Sequence, residues 1–313
     1  MRILVTGGAG FIGSHLVDRL LTAGHSVRVL DNLSSGKREN LPKAGDIDIV
    51  VGDVRAVADV SRAIDGIDAV FHLAAVASVQ ASVEDPAGTH GSNFLGTLNL
   101  LEAARRQSVR RFVYASSAAV YGNTEELPVS ERTPVCPLSP YAADKLAGEH
   151  YLWFYARKYR LAATAFRFFN VYGPRQDPSS PYSGVISIFA ESVRTGRAAT
   201  IFGDGTQTRD FVYVADLAEI LYRSLGNRKI DGQVLNVGRG MECSLLEILA
   251  ELERLSGRSI ERRYESPRIG DIRRSCADIS RLVELLGYRP ETPIDVGLSR
   301  LLDVFRSAAT SSM

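Results

Sequence analysis

Tyr141 and Lys145 stand four residues apart in the stretch Ser139-Pro140-Tyr141-Ala142-Ala143-Asp144-Lys145. On a helix that spacing puts a phenol and an ammonium on the same face, one turn apart. Pro140 after Ser139 is a helix-start signal, which predicts the pair in the first turns. A free tyrosine titrates near ~10 and is a poor base at neutral pH. A nearby cation favours the phenolate, and lowering the pKa by roughly three units takes about 4 kcal/mol of differential interaction. Such a tyrosine would remove a proton from a sugar or alcohol hydroxyl. Tyr-x-x-x-Lys also occurs on plain solvated helices, so its meaning depends on the elements that position it.

Those elements begin at the N-terminus. Arg2-Ile3-Leu4-Val5-Thr6 is a short apolar run, as in a strand buried in a parallel sheet. It leads into Gly7-Gly8-Ala9-Gly10-Phe11-Ile12-Gly13, followed by the helical pattern Ile12, Leu16, Val17, Leu20 and Leu21. Gly8, Gly10 and Gly13 satisfy G-x-G-x-x-G in a strand–turn–helix context. Glycines there permit a tight turn and let the backbone approach a pyrophosphate seated on the helix N-terminus. Gly7, Gly10, Phe11 and Ile12 are the expected contacts. The second apolar run, Ser26-Val27-Arg28-Val29-Leu30, ends at Asp31, with Asn32 next. A carboxylate about 20 residues past the glycines accepts from both ribose hydroxyls and repels a 2′-phosphate. NAD is therefore expected over NADP, although Lys37 and Arg38 lie nearby.

Composition excludes several classes. The chain has 313 residues, 45% of them hydrophobic, enough for a large core. Lys+Arg 37 against Asp+Glu 36 leaves a formal charge of +1, so neither nucleic acid nor a membrane surface is an expected partner. Cys136, Cys243 and Cys276 are scattered without a C-x-x-C, and the five histidines do not cluster. No disulfide framework and no metal site are expected. With neither a leader nor a long apolar run, the expected location is the cytoplasm.

Strands and helices alternate through the first half. Ile47–Val51, Ala69–Leu73, Arg111–Ala115 and Ala162–Phe168 read as strands; Val57–Ile64, Asn93–Arg106 and Tyr141–Tyr159 read as helices. That alternation predicts an α/β fold with a doubly wound, Rossmann-type parallel sheet, its ligand at the carboxyl ends of the strands. After Asn170 the pattern breaks into Gly- and Pro-rich loops, and helical patterns return at Ser244–Leu255 and Ser280–Leu286. The expected division is a NAD-binding domain of residues 1–169 plus about 211–238. A smaller C-terminal α/β lobe takes about 170–210 and 239–313.

The glycine loop, Asp31, Ser116-Ser117 and the Tyr141/Lys145 pair together resemble the extended short-chain dehydrogenase/reductase superfamily. More narrowly, the chain is similar to the nucleotide-sugar 4-epimerases, of the UDP-glucose and UDP-N-acetylglucosamine 4-epimerase kind. The likeness runs from Met1 to about Pro290. It implies that Ser117 is a catalytic serine on the reacting hydroxyl, with Ser116 supporting it through the backbone. It implies an adenine contact at Asp53, followed by Val54; a structural turn aspartate is the alternative. Leu73, Ala74 and Ala75 are small enough for the cofactor to lie close. Asn93 matches an asparagine that supports the cofactor, though a helix N-cap would look the same. In the second lobe Arg209 and Arg268 match positions that hold a UDP-sugar diphosphate, for which a planar guanidinium fork is suited. Asp271 would accept from the uridine ribose, and Asn170 would meet the diphosphate–sugar end. Ser275 falls where a bulky tyrosine restricts some epimerases to plain hexoses, and the neighbouring Val185 is also modest in size.

The reaction implied is NAD-dependent C4 epimerisation of a UDP-hexose through a 4-keto intermediate. The N-acetylglucosamine/N-acetylgalactosamine pair is favoured and the glucose/galactose pair is weaker or parallel. Tyr141 takes the 4-hydroxyl proton while Lys145 keeps the phenol acidic. Rival enzymes on the same fold are a uronate 4-epimerase, a decarboxylase and a dehydratase. Dehydratases carry an acid two residues after the serine, where this chain has Ala119. A non-catalytic NAD-sensing protein is the rival of another class, and such proteins can lose the tyrosine or the lysine. The superfamily also commonly pairs two helices of each subunit into a dimer contact, so a homodimer is expected.

Overall fold

Ile3, Leu4 and Val5 are completely buried, as are Val29, Leu30, Val70 and Phe71 on the neighbouring strands. Continuous apolar runs of this kind suit strands covered by helices on both faces. The computed structural model describes residues 1–178, 184–267 and 272–310, with side chains described to residue 303. Its first half runs β1 (Arg2–Thr6), α1 (Phe11–Thr22), β2 (Ser26–Asp31), β3 (Ile47–Val51), α2 (Val57–Ile64) and β4 (Ala69–His72). Short helices α3 (Val79–Glu84) and α4 (Pro86–His90) follow, and a π-helical stretch, Gly91–Leu95, leads into α5 (Gly96–Arg106). Then come β5 (Arg111–Ser117), α6 (Pro140–Tyr159) and β6 (Ala162–Phe168).

The second half holds β7 (Asn170–Tyr172), α7 (Val185–Thr195), β8 (Ala199–Phe202), β9 (Thr208–Tyr213), α8 (Val214–Ser224) and β10 (Gln233–Val237). It closes with β11 (Glu242–Ser244), α9 (Leu245–Ser256), β12 (Arg262–Glu265), α10 (Ser280–Leu286) and α11 (Ile294–Thr310). Seven strands form one parallel sheet in the order β10-β6-β5-β4-β1-β2-β3. The order reverses between β1 and β4, which is where such sheets open a ligand crevice.

Two apolar cores flank the sheet. Leu16, Val17 and Leu20 of α1 meet Leu217, Ile220 and Leu221 of α8 on one face. Val60 and Ile64 of α2, Leu100 and Leu101 of α5, and Leu152 and Tyr155 of α6 cover the other. A third core joins Phe189 of α7, Leu249 of α9 and Leu301 of α11 to β7, β8 and β9. β9 pairs with β7 and β11 in a separate three-stranded sheet, and α8 then carries the chain back to β10 at the edge of the main sheet. Leu282 and Leu286 of α10 pack into the α1/α8 core, on the main sheet.

Candidate active site

Ser139 caps α6, its side chain accepting from the Ala142 amide at 3.2 Å, and Pro140 opens the helix. Tyr141 is thus in the first turn, beside the end of β5. The Ser117 hydroxyl lies beside the phenol, and the Ala119 amide donates to Ser117 Oγ at 3.2 Å. Lys145 is almost fully buried, and its Nζ donates to the Ala115 carbonyl at 2.7 Å. Burial lowers its pKa to about 8, against the opposing charge of Asp144.

One expectation needs correcting. Burial pushes the Tyr141 phenol above its usual range, and the group that pulls it back is Ser117, not the ammonium. Lys145 Nζ lies 5.8 Å from the centroid of the Tyr141 ring and is turned onto a backbone carbonyl.

A cavity of about 300 Å3 opens at the carboxyl ends of the strands and reaches this pair. Its lining includes Gly7, Gly10, Phe11, Ile12, Asp31, Asn32, Asp53, Val54, Leu73, Ala74, Ala75, Tyr141 and Lys145. Gly10 caps α1 without a side chain, so no capping oxygen competes for the first-turn amides of Phe11 and Ile12. Helix N-terminal amides on a cavity wall suit an anion. Gly7 has φ +69 and passes so near Ala74 that an added Cβ would lie 2.8 Å from its amide nitrogen. At Gly13 a Cβ would fall 2.1 Å from the Gly7 carbonyl oxygen. Gly8 instead turns against the Val29 side chain, so the glycines that shape this floor are 7, 10 and 13.

Asp31 is 8% exposed, its two oxygens accepting from the amides of Ala9 and Leu33 at 2.9 Å each. Lys37 forms an ion pair with Asp177 at 2.8 Å. An acid on the cavity wall and a lysine engaged elsewhere suit a free ribose over a phosphorylated one. Asp53 is held by Arg55 through Nη2 at 2.7 Å and by Asn32 at 3.0 Å. Arg55 is the main reason its pKa falls to about 2. The residues present fit a dinucleotide.

Asn93 does not line the cavity and is not an N-cap. It sits inside the π-helical stretch, where its side chain accepts from the Val76 amide at 2.8 Å and donates to the Val76 carbonyl at 3.2 Å. Ser116 acts through its side chain, which donates to the buried Glu149 carboxylate at 2.5 Å.

Two residues went unnoticed in the sequence. His72 bridges Thr6 at 2.8 Å and Thr97 at 2.9 Å. Thr97 gives its proton to the Asn93 carbonyl at 2.6 Å, so it must accept from His72, which assigns the ring proton to Nε2. Burial, with Lys145 adding to it, lowers the His72 pKa to about 3, and the ring is neutral. The second is Asp210, fully buried, whose carboxylate accepts from the amides of Arg239 at 2.6 Å, Gly240 at 2.9 Å and Ala277 at 3.0 Å. Burial raises its pKa in spite of those three donors. Neither residue belongs to a motif with spacing that shows in the chain.

On the sugar side, Asn170 is exposed at the start of β7 and paired in register with Phe211. Arg209 lies two residues before Phe211 on β9, and its Nη1 donates to the Thr208 carbonyl at 2.7 Å. Val185 opens α7. Ser275 is half-buried beside Cys276, whose carbonyl accepts from the Val129 amide at 2.8 Å. Asn170, Val185, Arg209 and Ser275 all stand outside the cavity lining. Arg268 and Asp271 lie outside the described residues.

Residues 3–238 match the model of the NAD dependent epimerase/dehydratase family. The chain belongs to that family. It is an NAD-dependent enzyme of the extended short-chain dehydrogenase/reductase superfamily, with the Rossmann-type fold expected of it. A UDP-glucose 4-epimerase of Mycolicibacterium smegmatis is 44% identical over 98% of this chain and 99% of its own. A UDP-glucose 4-epimerase of Thermotoga maritima, solved with UDP-glucose, superposes with a TM-score of 0.95 at 39% identity, covering 99% of this chain and 100% of that one. A UDP-N-acetylglucosamine 4-epimerase of Methanobrevibacter ruminantium, solved with UDP-N-acetylmuramic acid, gives 0.94 at 37% identity over 98% of each chain. Among the described residues no helix is long and apolar enough to cross a membrane, and no group of three His, Cys, Asp or Glu side chains is placed to hold a metal ion.

Proposed function

We propose that this enzyme inverts C4 of a UDP-hexose through a bound 4-keto sugar, with UDP-N-acetylglucosamine and UDP-N-acetylgalactosamine as its preferred pair. The observation that carries the reading is the Tyr141/Lys145 pair in the wall of a cavity suited to a dinucleotide, with the Ser117 hydroxyl beside the phenol. NAD, when bound, supplies the hydride acceptor and donor for C4 and a positive charge beside the phenol. Tyr141 takes the proton from the 4-hydroxyl oxygen and later returns it. Ser117 holds that same oxygen, and Lys145 braces the end of β5 through Ala115 and binds the nicotinamide ribose. Ala119 offers no acid for eliminating water, which favours epimerisation over dehydration.

Residues 1–169 and about 211–238 carry the cofactor in this reading, and about 170–210 and 239–313 the sugar, except α10, which packs under the main sheet. Arg209 and Arg268 hold the diphosphate, Asp271 the uridine ribose and Asn170 the sugar end. Half-buried Ser275 leaves room for an N-acetyl group as the ring turns, Val185 is a further substrate contact of modest size in this reading, and glucose and galactose forms turn over as weaker or parallel substrates. Tyr151 and Phe154 of α6 are 42% and 53% exposed, an apolar strip suited to a second copy of the chain. Light scattering at micromolar concentration should give the mass of a dimer; a monomer mass would refute that contact.

The test is to incubate purified protein with UDP-N-acetylglucosamine or UDP-glucose, without added NAD, and resolve the sugars. The 4-epimer should form with no NADH released. Stoichiometric NADH in bulk solution would mark a dehydrogenase, and turnover of a UDP-uronic acid alone would move the substrate to the uronates.

A further inference from the structure

Tyr141 and Lys145 are two members of a longer stripe on α6. Glu149 stands four residues further on, on the same helix face. This stripe meets the end of β5 residue by residue. Ser117 lies beside the Tyr141 phenol, the Ala115 carbonyl accepts from Lys145, and Ser116 donates to Glu149. Glu149 is 2% exposed and is gripped from β6 by Arg167, whose Nε and Nη2 lie 2.9 and 2.7 Å from its two oxygens. The carboxylate therefore joins α6, β5 and β6 at one buried point.

A buried ion pair is weak evidence of stabilisation, because desolvation offsets the attraction, so its retention calls for another reason. The strand supplies one. Successive side chains of a strand point to opposite faces. On β5, Phe112 and Tyr114 enter the core under α6, and Val113 and Ala115 enter the core on the other side. Ser116 continues the first row and Ser117 the second. Anchoring Ser116 to Glu149 thus fixes the roll of the strand end, and the roll decides where the Ser117 hydroxyl points. Arg167 holds both carboxylate oxygens, so Glu149 cannot swing away from Ser116.

We propose that Glu149 is a positioning residue for the reaction, acting through Ser116 to keep the Ser117 hydroxyl on the Tyr141 phenol. It touches neither substrate nor cofactor. The inference rests on the proposed action of Tyr141 on a UDP-sugar, so its test has one readout that needs no turnover.

The experiment uses the NAD-loaded enzyme with Glu149→Leu and Arg167→Met combined, since replacing both charges by apolar groups is commonly tolerated. The double variant should keep its NAD content, its melting temperature and the KM for the UDP-sugar. Its kcat should fall ~10- to 100-fold, the worth of one charge-assisted hydrogen bond. The acid limb of the pH profile should move to higher pH, because the phenol loses the neighbouring hydroxyl that lowers its pKa. Ultraviolet titration of the phenolate, taken as the difference from Tyr141→Phe, should move the same way without substrate. Ser116→Ala should show the same displacements and decides the matter if the double variant does not fold. Wild-type protein that turns over no UDP-sugar would overturn the functional reading and leave the titration to judge the positioning. A folded, NAD-loaded variant with unmoved titration and pH profile would overturn the proposal, as would a rate loss that tracks NAD loss.

Discussion

Gly13→Ala adds one methyl group and should cost the enzyme its cofactor. The new Cβ would lie 2.1 Å from the Gly7 carbonyl oxygen and 2.7 Å from the Gly8 α-carbon. Both are backbone atoms, so no side-chain rotation relieves the clash, and the Gly7–Gly10 turn must move away from the start of α1. Overpacking of this kind costs ~1–3 kcal/mol of stability. The same movement shifts the Phe11 and Ile12 amides relative to the phosphates they are placed to hold. Losing one charge-assisted hydrogen bond costs ~1.5–3 kcal/mol, which is ~10- to 150-fold in NAD affinity. Purified variant and wild type should be compared for NAD content after denaturation, for melting temperature, and for turnover with and without added NAD. Gly226→Ala is the control, because nothing lies within 4 Å of its added Cβ. A Gly13→Ala enzyme that purifies fully loaded with NAD and melts like wild type would refute the reasoning.

Tyr141→Phe should leave fold and NAD content intact while lowering turnover ~100- to 10,000-fold, as general-base removal does; near-normal rates would place the proton elsewhere. Ser275→Tyr should sharply reduce conversion of the N-acetylated sugar while UDP-galactose conversion survives, by the logic of a steric specificity element; equal losses on both sugars would show that Ser275 is not the gate. Asp210→Ala strands the amides of Arg239, Gly240 and Ala277. At ~1 kcal/mol or more each the loss is roughly 3 kcal/mol, so melting should fall by about 6–12 °C. An unchanged melting temperature would mean that water replaces the carboxylate.

The cofactor half of the site was readable because its determinants are local. A strand, a glycine turn and a helix follow one another within the first twenty-two residues, and β2 delivers Asp31 directly afterwards. Tyr141 and Lys145 were readable for the same reason, since a helical spacing fixes their relation wherever the helix lies. The N-cap alternative for Asn93 did not hold, because a π-helical turn leaves no mark in apolar periodicity. The sugar side was harder: Asn170, Arg209 and Ser275 come from three separate segments, and α7 and α11 carried no start signal strong enough to notice.

Sequence alone determined the main strands and helices of the first half, the order in which they alternate and the residue types at their strand ends, because backbone propensity and apolar period act over a few neighbouring residues. The tertiary fold determined which groups meet. It put Lys145 on the Ala115 carbonyl rather than on the Tyr141 phenol, and left Ser117 as the group that lowers that phenol's pKa. It closed His72 between Thr6 and Thr97, and gathered three distant amides onto Asp210. Burial pushes all of these pKa values away from their usual ranges. Desolvation depends on every atom packed around a group, and most of those atoms come from parts of the chain far away in sequence.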